Sequence, residues 1–71
     1  MANIMNVTIV NGVYVITNSS GHIIGQASTP EDLISQLKAL IALDFKLTAR
    51  AKEIVNYIIE LWLKDIETKF D

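Results

Sequence analysis

The last helical run of this chain, Ala49 to Phe70, is apolar around too much of its circumference for a helix that only has to cover one small sheet. Wound at about 100° per residue, Ile54, Ile58, Ala51, Trp62, Val55, Ile66, Ile59 and Leu63 sweep out roughly half of the helix surface, with Leu61 at one edge. Asn56, Glu67, Glu60, Glu53 and Lys64 occupy the opposite face. A stripe of about 100° suffices to pack a helix on a single layer. The surplus calls for a second surface: another helix, another subunit or a partner protein.

Size sharpens that demand. A domain of 71 residues buries only about 60% of its unfolded surface and is marginally stable alone. Small domains gain stability from disulfides, a metal or oligomerisation. The chain has no cysteine, and His22 is its single histidine, so disulfides, thiolate zinc sites and a histidine-rich metal site are excluded within one chain. Oligomerisation remains. A content of 51% hydrophobic and 20% charged residues agrees with it. The expectation is one domain over residues 1–71 that forms a homodimer and holds no metal or cofactor.

The net charge is −2, and the six Lys and Arg are scattered from Lys38 to Lys69 rather than gathered on one face. Nucleic acid is therefore not the expected partner. The first eleven residues have no basic start and no unbroken apolar core. No apolar stretch approaches the roughly 20 residues of a membrane helix. The expected location is the cytoplasm.

The first half reads as strands, at about residues 4–10, 13–17 and 22–27. Asn11-Gly12 between two β-branched runs is the strongest short hairpin signal, because a type I′ turn needs positive φ at both central residues. A two-residue loop pairs Val10 with Val13, Ile9 with Tyr14, Thr8 with Val15 and Val7 with Ile16. A four-residue turn, Asn18 to Gly21, then pairs Thr17 with His22, Ile16 with Ile23, Val15 with Ile24 and Tyr14 with Gly25. Side chains alternate across a sheet. Met5, Val7, Ile9, Tyr14, Ile16, Ile23 and Ala27 thus share the core face. Val10, Val13, Val15 and Ile24 form an apolar island on the other face, which marks an interaction site.

The second half reads as two helices, at about residues 30–44 and 49–69. Thr29-Pro30-Glu31-Asp32 supplies a hydroxyl cap, a proline in the first turn and acids at the positive end of the dipole. Leu33, Ile34, Leu37, Leu40 and Ile41 make the buried stripe. Thr48 caps the second helix after a short link. The expected fold is α+β, a three-stranded antiparallel β-meander followed by two α-helices packed on one face (β-β-β-α-α). Its core is Val7, Ile9, Tyr14, Ile16, Ile23, Leu33, Leu37, Leu40, Ile41, Ile54, Ile58 and Trp62.

Catalysis needs polar groups that converge in a cleft. His22 is the one candidate base near neutral pH, and it sits with Ser19 and Ser20 at a hairpin tip where nothing orients its ring. Glu31 and Asp32 are explained by the helix dipole. Glu53, Glu60 and Glu67 recur along one solvated face. Gly12, Gly21 and Gly25 have turn or strand explanations, and no phosphate loop exists. No catalytic, cofactor-binding or metal site is expected, and the chain is read as non-enzymatic.

One stretch resembles a known family. From Gln26 to Leu63, a strand, then Thr29-Pro30-Glu31-Asp32-Leu33 opening one helix, then Leu47-Thr48-Ala49-Arg50 opening a second, resemble the ribbon-helix-helix repressors. That resemblance implies a DNA-binding regulator, with Thr48 at a phosphate and Gln26 and Ser28 toward the major groove. The family's strand is basic and N-terminal, whereas this one lacks Arg and Lys and follows a hairpin.

The reading that absorbs most of these features is a small protein–protein interaction module, homodimeric, that acts by occupying a partner protein. A phage or mobile-element inhibitor or accessory protein would have this form. A structural subunit of a larger assembly is the remaining alternative. The expected interface residues are Ile59, Trp62, Leu63 and Ile66 on the helix and Val10, Val13, Val15 and Ile24 on the sheet.

Overall fold

The structure, a computed structural model, describes residues 3–69, with the side chain of Lys69 left out; Phe70, the end of the last apolar run, lies outside the described residues. Strand β1 is Asn3–Val10, β2 is Val13–Asn18 and β3 is Ile23–Ala27. Helix α1 is Pro30–Ala42, β4 is Phe45–Leu47 and α2 is Ala49–Lys69. The class is α+β, and the arrangement differs from a three-stranded meander. The sheet has four strands in the order β3-β2-β1-β4 and is mixed, because β4 lies parallel to β1. α1 ends two residues earlier than expected, at Ala42, and the supposed link is a strand.

The first hairpin forms as its sequence requires. Asn11 and Gly12 have φ of 51° and 80°, and the register pairs Val10 with Val13 and Val7 with Ile16. The second turn departs from expectation. The Asn18 N–H donates to the His22 carbonyl, and Gly21, at φ 86°, follows as the left-handed residue of a three-residue loop. The Asn18 side chain holds that loop, its Oδ1 accepting from the N–H groups of Ser20 and His22, both at 3.0 Å. Thr17 therefore faces Ile23 rather than His22, and a bulge between Ile16 and Thr17 shifts the ladder once more.

These two one-residue shifts have different consequences. Each one-residue slip reverses the faces. Between the slips, Ile23 pairs with outward-facing Thr17 and is exposed, while Ile24 packs against the core. Ile23 as core and Ile24 as part of the outer island were thus reversed by the three-residue loop, before the bulge restored the alternation. After the second slip the faces are restored, and Gly25 stands opposite Ile16 instead of Tyr14.

Gly25 lets α1 come close. A Cβ there would lie 2.6 Å from the Gln36 Oε1 and 3.2 Å from the Ile16 Cδ1. Gln36 cannot swing away without loss, because its Nε2 donates to the Gln26 carbonyl. We expect Gly25→Val to destabilise by about 1–3 kcal/mol through overpacking. Urea unfolding of Gly25→Val, alone and with Gln36→Ala, checks this; the double variant should recover part of the loss.

Both helices have the caps their sequences announce. The Thr29 Oγ1 accepts from the Asp32 N–H at 3.2 Å. The Thr48 Oγ1 accepts from the Ala51 N–H at 3.0 Å. Together the helices cover one face. Met5, Val7, Ile16 and Ala27 from the sheet meet Leu33 and Leu37 of α1 and Ala51, Val55 and Ile58 of α2 in one buried cluster.

Several expected core residues lie elsewhere. Ile9 and Ile41 are about half exposed, at 51% and 52%. Ile9 has core-face parity but stands beside an open groove at the sheet edge. Ile41 sits in the last turn of α1, on the flank of a stripe centred on Leu33 and Leu37. Trp62 is partly buried without joining the core cluster. Met5 and Ala51, fully buried, fill the centre instead.

Candidate interaction surfaces

Three surfaces stand out, two of them legible in the sequence. The first is the distal half of α2. Its buried positions, Ala51, Val55 and Ile58, all fall in the first ten residues. Trp62 and Ile66 continue the same side of the helix within about 60°, yet among the described residues nothing beyond Ile58 is buried. A 21-residue helix is about 31 Å long, and the molecule measures 46 × 24 × 18 Å, so one long element dominates its shape. Of the four expected helix residues, Ile59 packs against the core. Trp62 and Ile66 are partly buried, and Leu63 is 51% exposed.

The second surface is the face of the sheet that carries no helix. Val10 is exposed, and Val13 and Val15 are partly buried, with Val10 and Val13 directly paired. Ile24 does not join them, since it packs with the core. Exposed Ile23 takes its place on this face, paired with Thr17.

The third surface joins the edge of β1 to a face of α2, a combination that sequence reasoning missed. Strand β4 pairs with β1 only at Asn3, Ile4 and Met5. There α2 begins, tied to the sheet by the Thr48 N–H donating to the Met5 carbonyl at 3.1 Å. From Asn6 to Val10 that side of β1 has no strand beside it. A groove of about 580 Å³ runs along this open edge, lined by Asn6, Thr8 and Ile9 of β1 and Arg50, Glu53, Ile54 and Tyr57 of α2. The α2 residues sit at spacings of three, four and seven, one face of the helix. The only sequence signal was the short alternation Phe45-Lys46-Leu47, three residues against the eight of β1.

Asn6 closes the inner end of the groove. Its Oδ1 accepts from the Val7 N–H at 3.0 Å and from the Thr48 hydroxyl at 3.3 Å. One side chain thus satisfies the first outward-facing donor of the open edge and joins β1 to the cap of α2.

The candidate chemical groups are dispersed. His22, Ser19 and Ser20 are all exposed at the tip of the second hairpin. Glu31, Asp32, Glu53, Glu60 and Glu67 are exposed on helix surfaces. Among the described residues no three metal-ligating side chains are grouped. No helix among them is long and apolar enough to cross a membrane. Of the residues carrying the ribbon-helix-helix resemblance, Thr48 caps α2, β4 lies between the two helices, and Gln26 and Ser28 are exposed at and after β3.

The chain is thus an α+β protein with a four-stranded mixed sheet, two helices on one face and apolar surface left over on α2 and on the sheet. No protein-family model, no curated protein and no solved structure matches it.

Proposed function

We propose that this chain is a small, non-enzymatic protein–protein interaction module that acts in the cytoplasm as a homodimer. One observation carries the reading. α2 presents Trp62 and Ile66 on the same side as Ala51, Val55 and Ile58, but past the last residue it buries. An apolar surface continuous with a core is the kind that a second subunit extends. Trp62 suits the centre of such an interface, since tryptophan is enriched among the residues that dominate binding energy. Leu63, exposed in the single chain, extends this surface to one side. A dimer of this kind leaves the open sheet face for a partner protein, as an inhibitor or accessory protein would use it.

The test is absolute mass in solution by light scattering behind a sizing column, over a wide concentration range. The expected result is twice the 7.9 kDa of one chain. A monomer at the highest concentration reached would overturn the dimer.

A further inference from the structure

We propose that the open edge of β1 takes an extended segment of another protein as an added strand, seated between β1 and α2. This rests on the reading of the chain as an interaction module, but not on its being a dimer.

The backbone defines the type of ligand. A two-residue hairpin loop makes its flanking pair, Val10 and Val13, a hydrogen-bonded pair. Alternation then turns the main-chain groups of Asn6, Thr8 and Val10 toward β2 and those of Met5, Val7 and Ile9 the other way. The Met5 carbonyl, which accepts from Thr48, confirms this phase. Asn6 occupies the Val7 N–H. That leaves an acceptor on Val7 and both a donor and an acceptor on Ile9, in line along the groove. A strand running in either direction can make three main-chain bonds there, which is how extended peptides add to sheet edges. The open stretch, five residues from Asn6 to Val10, is about 17 Å long.

The side chains define its chemistry. Ile9, Ile54 and Tyr57 make an apolar end, with Tyr57 60% exposed. Arg50 and Glu53 are exposed at the other, and among the described residues neither is in an ion pair. The complementary strand therefore carries, at alternate positions facing α2, a carboxylate, a cationic side chain and an apolar side chain. A second copy of β1 does not meet this description, because Asn3–Val10 has no charged residue. Nor does it fit the space. Paired edge strands lie about 4.8 Å apart, whereas packed helices need 8–10 Å, and each copy would bring its own α2 to the shared edge.

The probes are two blocked heptapeptides, Thr-Asp-Thr-Lys-Thr-Val-Thr and its reverse, with a control in which Asn and Gln replace Asp and Lys. They are titrated into the full chain while exchange of the Ile9 amide proton is followed by NMR. One order should bind and slow that exchange about tenfold, and should bind roughly tenfold tighter than the uncharged control. In the exposed double variant Arg50→Glu/Glu53→Arg, checked for unchanged helicity, the peptide of the preferred direction should bind better once its Asp and Lys are exchanged, and in the parent chain worse. The proposal fails if neither peptide slows Ile9 exchange, if the uncharged control binds equally well, or if the double variant keeps the original preference. It also fails if Ile9 becomes protected without peptide as the concentration of the chain rises, since a copy of the chain then fills the edge. Because solution mass is measured separately, loss of the dimer and loss of this site are distinguishable.

Discussion

Ile16→Ala should bring the chain close to unfolding at room temperature. Ile16 is fully buried at the centre of β2, between Val7 on β1 and Gly25 on β3. Truncating a buried isoleucine to alanine costs about 2–5 kcal/mol, the upper end applying where neighbours cannot close the cavity. Here the sheet backbone on both sides limits collapse. A domain of this length has a total stability of roughly 4–10 kcal/mol, so the loss is a large share of the whole. Thermal unfolding followed by circular dichroism should show a fall in Tm of roughly 10–30 °C. Ile23→Ala and Ile41→Ala are the controls. Both residues looked equivalent to Ile16, one in the strand alternation and one in the buried stripe of the first helix, but at 58% and 52% exposure each should change stability by under about 1 kcal/mol. If all three variants lose stability equally, the pairing of Ile23 with Thr17 and the flank position of Ile41 are wrongly placed.

Leu63→Glu should convert the proposed dimer to a monomer without disturbing the fold. Leu63 is 51% exposed within one chain, so a glutamate there meets water when the chain is alone. In an interface built on Trp62, Leu63 and Ile66 the same carboxylate would be removed from water. The penalty is several kcal/mol, or at least about a hundredfold in Kd. At concentrations where the parent chain has twice the monomer mass, the variant should have the mass of one chain and an unchanged helical spectrum. Tyr57→Glu, exposed on the groove side of α2, should leave the dimer intact. A Leu63→Glu variant that stays dimeric would move the interface to the sheet face around Val10, Val13 and Val15.

These two experiments probe different kinds of information in the chain. Interactions between near neighbours could be read directly. Asn11-Gly12 specified its turn and, with it, the full register of β1 on β2. Thr29 and Thr48 announced their helices by the oxygen each offers to an N–H three residues on. The breadth of the apolar arc on α2 was likewise a property of periodicity alone. All of these depend on backbone geometry within one turn or one helix.

The features that shape the candidate sites depend on contacts between distant segments. A three-residue stretch such as Phe45-Lys46-Leu47 has too few side chains to declare itself a strand. It becomes one because α1 crosses over the sheet and delivers it beside Asn3–Met5, more than forty positions away in sequence. The close approach of α1 to Gly25, with Gln36 held to the Gln26 carbonyl, likewise joins segments far apart in sequence. A strand's own alternation cannot reveal that fit. By itself, then, the sequence determined the hairpin, the two capped helices and an excess of apolar surface. Tertiary packing decided that β4 stops at Met5 and leaves half of β1 unpaired beside α2. The reason is one of range: turns and caps are closed by neighbouring residues, whereas an open edge exists only where the rest of the chain does not reach.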